Sequence, residues 1–333
     1  MSPPLIEIPF ARIHYIMPMP LSDRHGQHVQ AQDMHNHPND LQTRFILPKA
    51  GVRGVCVRLE NTWRDILAHA EYPDTVRDLL GQSCAAAALF TGHAKVNGRL
   101  SLQLRSQHAL RTLFAECTAQ DTLRGIAQLV EGADAPRDLS DLGEDAVLAI
   151  TIENPGLDPR EPQRYQSLVS LQAATLSGAF EDYFHQSEQL PTRLLLAADG
   201  TRAARLILHK LPGDEGDGDG WTRAGALFDT LKSDELLETP SETLLHRLFH
   251  EEDPEILAER PLRFACSCSR ERVSDMLRSL GADEARAALA DGQAEVRCEF
   301  CGQRYIFSPS GIEDLFVSAP PELQAPQRLQ FVH

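Results

Sequence analysis

Apolar and polar residues alternate over several short stretches between residues 41 and 212, which is the pattern of β-strands with one buried face. In RLSLQLRS, Leu100, Leu102 and Leu104 fall on the same face. The segment TVRDLLGQSCAAAALFTGHAKV has the pattern of a helix, and its small residues suit close packing. The sequence therefore predicts a mixed α/β core domain over residues 41–212. Further predicted strands are RGVCVRL, AVLAITIEN, RYQSLVSLQ, TRLLLAAD and ARLILHKL, and further predicted helices are NTWRDIL and TLSGAFEDYFHQSEQ.

The pattern changes after residue 212, where LPGDEGDGDGW indicates a flexible acidic loop. Two amphipathic helices are predicted beyond it, at about 222–237 and 240–251. The second is predicted to begin at a capping box, Thr239-Pro240-Ser241-Glu242. Helices this short are not stable alone, so we expect both to pack on the α/β domain. Residues 213–262 are accordingly predicted to be an acidic loop followed by a helical linker. The apolar stripe of the second helix consists of Leu244, Leu245, Leu248 and Phe249.

Residues 1–40 contain prolines, polar residues and histidines without sustained periodicity, which predicts a disordered N-terminal extension. The formal net charge of −16 repels phosphate backbones and anionic membranes. We therefore expect no nucleic-acid partner and no membrane partner. Apolar runs are too short to span a bilayer, and the first residues lack the pattern of a signal peptide. These features predict a cytoplasmic protein.

The seven cysteines divide into two groups. Cys56, Cys84 and Cys117 lie singly in apolar or amphipathic surroundings, which predicts buried or half-buried core residues. The other four form two close pairs, Cys266-Ser267-Cys268 and Cys298-Glu299-Phe300-Cys301. An odd number of cysteines without a secretory signal favours reduced thiols over a stable disulfide framework. The late pairs need a separate explanation.

Two close thiol pairs separated by residues 269–297 have the spacing of a metal site. Four thiolates match tetrahedral zinc and leave no open coordination position, so we expect a structural rather than a hydrolytic site. Between the pairs, RERVSDMLRSLG and ADEARAALADG are predicted helices, and a strand with Tyr305 and Phe307 on one face is predicted after them. Residues 263–320 are thus predicted to form a small C-terminal zinc-binding domain, followed by a tail at 321–333. The predicted zinc ligands are Cys266, Cys268, Cys298 and Cys301.

The energetics of such a domain indicate a switch. A segment of roughly 60 residues has a marginal hydrophobic core. Structural zinc in small modules contributes on the order of 10–16 kcal/mol of apparent folding free energy. Oxidation of the thiolates would remove the ligands, release the metal and unfold the module. A zinc knuckle without a redox role is the alternative, and the residues by themselves leave both open.

Three segments carry a resemblance to a known family. The run CSCSRERVSDMLRSLGADEARAALADGQAEVRCEFCGQRYIF lies at 266–307, EDYFHQSEQLPTRL at 181–194 and LLHRLFHEED at 244–253. Together they closely resemble the bacterial redox-regulated chaperones of the heat shock protein 33 family. The likeness extends over about residues 41–320. The resemblance implies an α+β fold with an N-terminal mixed α/β substrate domain, a helical metastable linker and a small C-terminal zinc-binding domain with a four-cysteine site.

The resemblance also implies a function, that of an ATP-independent holdase that binds unfolding proteins under oxidative stress. In the reduced form one zinc per chain would be bound by the four late cysteines, and the protein would be inactive. Hypochlorous acid, or peroxide combined with heat, would form the disulfides Cys266–Cys268 and Cys298–Cys301 and expel zinc. The zinc domain and linker would unfold and expose apolar surface. The implied partners are unfolded or misfolded client proteins and a second copy of the chain, since the family forms homodimers on oxidation.

Two alternatives belong to other functional classes. A thiol–disulfide oxidoreductase would use the CxxC pair, but such a pair normally lies at a helix N-terminus after a strand. A zinc-ribbon nucleic-acid-binding protein would use the arginines around the site, which the acidic chain disfavours. His185, Ser187 and Glu188 lack an orienting group or an oxyanion loop, so we expect a helix end before Pro191 and no enzyme active site.

Overall fold

The computed structural model describes residues 39–93, 96–156, 162–213, 216–289 and 292–317. The predicted extension at 1–40, apart from its last two residues, and the predicted tail at 321–333 lie outside these ranges, as does the middle of the acidic loop. The chain divides into two compact units, with the boundary between Cys266 and Ser267. Each unit is described by itself below.

The first unit contains both strands and helices. It begins with β1 (Leu41–Leu47), β2 (Val52–Leu59), α1 (Asn61–Leu67) and α2 (Asp74–His93). It continues with β3 (Arg99–Arg105), β4 (Leu110–Thr118), β5 (Thr122–Leu129), β6 (Val147–Asn154), β7 (Gln163–Val169) and α3 (Leu176–Ser187). Next come β8 (Thr192–Ala198), β9 (Ala203–Lys210), α4 (Gly220–Phe228), α5 (Ser233–Glu238), α6 (Ser241–Phe249), β10 (Glu255–Pro261) and β11 (Arg263–Phe264).

These strands form two sheets around a buried helix. The first sheet has the order β10-β1-β2-β9-β8, and the second has the order β11-β5-β4-β3-β6-β7. Neighbouring strands are antiparallel except for β11, which runs parallel to β5. Helix α2 lies between the sheets, and its run Ala85–Leu89 is buried. The close approach depends on Gly125, where an added Cβ would lie 2.6 Å from Sγ of Cys84.

The opposite face of the first sheet is covered by α4, α5 and α6, which we call the cover helices. Apolar residues of β1, β2 and β9 form one buried cluster with the apolar faces of these helices. This arrangement confirms that the helices after the acidic loop pack on the α/β domain. The sheet contributes Phe45, Leu47, Val52, Cys56, Leu206 and Leu208, and the helices contribute Ala224, Phe228, Leu236, Leu237, Leu244, Leu245, Leu248 and Phe249.

Two details of the predicted linker are wrong. The expected helix at 222–237 is divided into α4 and α5, and the expected capping box is absent, because Pro240 precedes α6 without a side-chain cap. Thr239 is extended, with φ −90° and ψ 129°, since a residue before proline avoids the helical region. The linker also contains a strand, β10, which pairs antiparallel with β1.

The second unit is small. Its described part comprises α7 (Arg270–Leu280), α8 (Ala282–Ala287), β12 (Ala294–Arg297), β13 (Arg304–Phe307) and α9 (Pro309–Val317). The two strands form an antiparallel hairpin that pairs Arg297 with Arg304. The predicted helices between the cysteine pairs and the predicted strand are confirmed, whereas α9 was not expected. The buried core consists of Met276, Leu277, Ala285, Ala294, Val296, Phe307, Ile312 and Leu315.

Candidate metal and redox site

The second cysteine pair lies in the turn of the β12–β13 hairpin. Cys298 follows the last residue of β12, and its N–H donates to the carbonyl of Gln303 at 2.8 Å. The N–H of Gly302 donates back to the carbonyl of Cys298, also at 2.8 Å. Gly302 has a φ of 68°, a conformation that favours glycine. Phe300, between the two cysteines, is buried, whereas Cys298 and Cys301 are partly exposed.

The first cysteine pair lies between β11 and α7. The N–H of Ala265 donates to the carbonyl of Leu123 at 3.2 Å, which continues the pairing with β5 up to the residue before Cys266. After Cys268, the Ser269 side chain caps α7 by accepting from the N–H of Arg272. The guanidinium of Arg272 donates in turn to the carbonyl of Ser267 at 2.8 Å. The segment Cys266-Ser267-Cys268 is therefore fixed before its first residue by backbone pairing with β5 and after its last residue by the cap of α7.

The structure brings the four predicted ligands together. The Sγ atoms of Cys266, Cys268, Cys298 and Cys301 all lie within 4.8 Å of one another, and each residue is partly exposed. Sγ of Cys268 and Sγ of Cys301 are 3.3 Å apart. A tetrahedral zinc with Zn–S bonds of about 2.3 Å separates its sulfurs by roughly 3.8 Å. The donor set therefore fits a tetrahedral thiophilic metal after small side-chain adjustments.

Tyr305 is a site residue that the sequence analysis missed. Its hydroxyl donates to Sγ of Cys268 at 3.1 Å. Burial raises the pKa of the Tyr305 phenol, and the hydrogen bond and the nearby cysteine sulfurs raise it further, so the phenol is a donor at neutral pH. The sequence predicted that Tyr305 and Phe307 lie on the same face of a strand. That pattern indicates packing of the rings and gives no sign of a hydrogen bond to a cysteine sulfur.

The three early cysteines are buried, as the sequence predicted. Burial raises the pKa of Cys56 to about 11 and that of Cys117 to about 12, and it raises the pKa of Cys84 as well. Thiols with raised pKa values carry little thiolate at neutral pH and are poor nucleophiles. Among the cysteines, reactive thiol chemistry is therefore expected of the four late ones alone.

The positions considered for an enzyme have ordinary structural roles. His185, Ser187 and Glu188 are exposed at the end of α3, where Glu188 is the C-cap and accepts a hydrogen bond from the Tyr183 hydroxyl at 3.2 Å. The CxxC pair lies in a hairpin turn rather than at a helix N-terminus, which is where oxidoreductase thiols are activated. Over the described ranges, no further group of three or more metal-ligating side chains converges.

Comparison with known proteins identifies the family. The family model described as Hsp33 protein matches residues 40–308. The chain belongs to the Hsp33 family. A "33 kDa chaperonin" of Pseudomonas fluorescens (strain Pf0-1) is 42% identical over 297 residues, which cover 87% of this chain and 97% of the relative. The protein of the same description from Ectopseudomonas mendocina (strain ymp) is 42% identical over 298 residues, which cover 87% and 99%.

A solved Hsp33 structure has the same fold. The crystal structure of the 33 kDa chaperonin (heat shock protein 33 homolog) from Thermotoga maritima matches with a TM-score of 0.69 at 20% identity, and the match covers 84% of this chain and 98% of that one. The predicted family and the predicted α+β fold class are thus confirmed, and the chain is a member of a chaperone family. Among the described helices, none is long and apolar enough to cross a membrane.

Proposed function

We propose that this Hsp33 chain is a redox-regulated, ATP-independent holdase, and that Cys266, Cys268, Cys298 and Cys301 are both its zinc ligands and its redox-active thiols. The observation that carries the proposal is the convergence of the four sulfurs within 4.8 Å. Thiolates favour zinc among the common metals, and four of them leave no position for a catalytic water. One zinc per chain is bound in the reduced form.

The small size of the second unit supports a metal-dependent fold. Its described core is a cluster of eight buried apolar residues, and two of them are alanines, which bury little surface. Polar contacts add to this core, such as the ion pair of Arg286 with Glu313 at 2.7 Å, but both of those side chains are about half exposed. Exposed ion pairs contribute about 0–1 kcal/mol. Loss of the metal therefore unfolds this unit.

Oxidation converts the ligands into disulfides. Each pair of thiolates loses two electrons and forms one S–S bond, joining Cys266 to Cys268 and Cys298 to Cys301. Hypochlorous acid accepts the two electrons with one proton and gives chloride and water, so two equivalents oxidise one site. A disulfide sulfur is a poor ligand, so zinc is released as Zn²⁺. A disulfide across a single residue is strained, which makes the switch readily reversible by reductants.

The cover helices are the second part of the switch. They pack an apolar stripe on the first sheet, and their release uncovers both the stripe and the sheet face beneath it. The packing includes a hydrogen bond from Arg58 to the carbonyl of Thr239 at 2.7 Å and a bidentate contact of Arg223 with Glu252. Unfolding clients bind the uncovered apolar surface, since exposed patches of this kind mark protein interaction sites.

The proposal assigns a role to each region of the chain. Residues 41–212 form the substrate domain, 213–262 the metastable linker and 263–320 the zinc-binding switch domain. The protein acts in the cytoplasm, forms a homodimer on oxidation, and requires neither nucleic acid nor a membrane. It is not an enzyme.

The decisive experiment follows the aggregation of a heat-unfolded model client without ATP, with zinc release measured in the same samples. Reduced zinc-loaded protein is compared with protein oxidised by hypochlorous acid or by peroxide at elevated temperature. We expect oxidation to release one zinc per chain and only the oxidised form to suppress aggregation. The proposal is wrong if zinc stays bound after oxidation, or if its release brings no protection of the client.

A turnover assay separates this function from a thiol–disulfide oxidoreductase. Insulin disulfides and a reductant are supplied together with catalytic amounts of the chain. We expect no multiple turnover, because the CxxC pair lies in a hairpin turn and lacks the helix N-terminus that lowers a thiol pKa. Multiple turnover that depends on Cys298 and Cys301 would establish the enzyme in place of the holdase.

A further inference from the structure

A row of alternating charges crosses the outer face of the second sheet. The neighbouring strands β7, β6, β3, β4 and β5 contribute, in that order, Arg164, Glu153, Arg99, Glu116 and Arg124. Consecutive members are directly opposite each other, except that Glu116 is diagonal to Arg99. Nε of Arg164 lies 2.8 Å from Glu153, and Nε of Arg99 lies 2.5 Å from the same carboxylate. Nη1 of Arg99 lies 3.8 Å from Glu116, and Nε of Arg124 lies 2.8 Å from it. We call these five residues the charge ladder.

The arginines of the ladder become more buried toward Arg124. The Arg164 side chain is 60% exposed and that of Arg99 39%, whereas that of Arg124 is 11% exposed and that of Glu116 5%. The Arg124 guanidinium also lies over the Phe114 ring, 6.0 Å from its centroid. A buried cation is costly unless it is paired and hydrogen-bonded. The partners of Arg124 therefore matter more than those of the exposed arginines.

Cys266 is the next partner in the row. Strand β11 pairs with β5 next to Arg124, and the N–H of Ala265 donates to the carbonyl of Leu123, the residue before Arg124. Cys266 follows Ala265 directly. Burial lowers the pKa of the Arg124 guanidinium, and the adjacent Glu116 and Cys266 side chains together raise it above its usual value. Within the ladder three guanidiniums face two carboxylates, so an anionic sulfur at Cys266 completes the alternation of charges. The sulfur carries negative charge as a thiolate or as a metal ligand, and it carries none in a disulfide. The contact is thus charge-assisted in the reduced form alone.

We propose that Arg124 is a positioning residue for Cys266, holding its sulfur in the reduced form through a contact that is lost when Cys266 enters a disulfide. The inference rests on the proposed redox function and adds a residue outside the cysteine motif to it. Arg124 favours the reduced, metal-bound state, so its removal loosens Cys266 and speeds the release of zinc. Less oxidant is then needed to activate the chaperone.

The test uses full-length, reduced, zinc-loaded protein and follows the transfer of zinc to a colorimetric chelator without oxidant. For Arg124→Met, which keeps the chain length and removes the donors, we expect zinc release on the order of tenfold faster, as for a lost hydrogen bond to a charged group. Arg124→Lys retains the charge and is expected to restore part of the retention. Arg164→Met, at the exposed end of the ladder, is expected to release zinc at the wild-type rate.

Glu116→Gln separates positioning from general destabilisation of the sheet. This variant also breaks the buried ion pair, but it leaves the Arg124–Cys266 contact in place. We expect it to retain zinc like the wild type, and we expect the double variant Arg124→Met/Glu116→Gln, which leaves no orphaned carboxylate, to release zinc like Arg124→Met. If Glu116→Gln releases zinc as fast as Arg124→Met, the effect comes from the sheet and the positioning role is overturned.

A second readout compares two cysteines within one molecule. Alkylation of each thiol is followed by mass spectrometry during zinc loss, and the ratio of Cys266 to Cys298 modification is recorded. We expect Arg124→Met to raise this ratio severalfold, whereas uniform destabilisation would leave it unchanged. An unchanged ratio with unchanged zinc release overturns the inference. Wild-type protein that binds no zinc, or gains no activity on oxidation, would instead overturn the proposed function itself.

Discussion

The ring of Phe249 in α6 stacks on the ring of Phe45 in β1, with centroids 6.4 Å apart and ring planes 24° from parallel. Both side chains are almost completely buried. The contact joins the cover helices to the apolar face of the first sheet. A substitution at this contact would therefore weaken the packing of the cover helices on the sheet while leaving all the cysteines unchanged.

We predict that Phe249→Ala gives partial holdase activity in the reduced, zinc-loaded form. Loss of a buried phenylalanine costs about 3–5 kcal/mol, and here the cost falls on the packing of the cover helices. Suppression of client aggregation by the reduced variant is the measurement, together with hydrogen exchange over residues 220–249. We expect faster exchange there than in the wild type, while the zinc content stays the same.

Phe180→Ala is the matched control for this prediction. Phe180 is equally buried but belongs to the core between the two sheets, where it packs on Phe90 with ring centroids 5.0 Å apart. Loss of the Phe180 ring destabilises the first unit but does not remove a contact between the cover helices and the first sheet. If Phe180→Ala activates the reduced protein as strongly as Phe249→Ala, activation reflects global instability and the cover helices have no special role.

Local sequence patterns predicted the elements whose burial is local. The leucines of β3 alternate because one face of that strand packs on α2, and the two cysteine pairs are recognisable because their spacing is short. The local sequence also accounts for the end of α5, because Thr239 precedes a proline and is therefore extended rather than helical. The capping box predicted with Thr239 as N-cap does not form, because Pro240 is the N-cap of α6: its carbonyl accepts from the N–H of Leu244, and its side chain has no acceptor.

Features that depend on distant pairing left no local pattern. Nearly every residue of β10 is exposed, so its sequence, EILAERP, lacks the alternation of a half-buried strand, and its pairing is set by β1. The contacts of Tyr305 with Cys268 and of Arg124 with Cys266 join residues far apart in the chain. Spacing identified the sulfurs, but their hydrogen-bonding partners required the three-dimensional structure.

Substitution of one proposed ligand tests how far the second unit depends on the metal. We predict that Cys301→Ser lowers zinc binding below one per chain and unfolds residues 267–317, because structural zinc contributes on the order of 10–16 kcal/mol in small modules. Zinc analysis and proteolysis after residue 266 are the measurements. Cys84→Ala, at a cysteine buried within α2, is the control and should keep its zinc. A zinc-free Cys301→Ser protein that resists proteolysis would show that the unit folds without metal.

Removal of one hydroxyl tests the contribution of Tyr305. Tyr305→Phe keeps the ring and deletes the donor to Sγ of Cys268, so we predict a loss of about 0.5–1.5 kcal/mol of site stability and zinc transfer to a chelator roughly 2- to 10-fold faster. Tyr165→Phe, at an exposed position of β7, should transfer zinc at the wild-type rate. Equal rates for all three proteins would mean that the hydroxyl does not stabilise the reduced site.

The raised pKa of Cys56 predicts a loss of stability at alkaline pH. In the unfolded chain this thiol ionises near its ordinary pKa of 9.0, whereas burial raises its pKa in the folded protein to about 11. Between these values the unfolded state releases the proton and the folded state retains it. The contribution of Cys56 is therefore fully present below pH 9 and is lost as the pH rises toward 11, at about 1.4 kcal/mol per pH unit.

Urea unfolding of the wild type and of Cys56→Ala at pH 8, 9 and 10 measures this contribution. We expect the free energy of unfolding to fall less steeply with pH in Cys56→Ala, because one titrating thiol has been removed. Thr43→Ala is the control, since Thr43 lies directly opposite Cys56 on β1, is equally buried and does not titrate. It should shift the free energy by a constant and keep the wild-type slope. If the slope of Cys56→Ala equals that of the wild type, Cys56 ionises alike in both states and its burial does not raise its pKa.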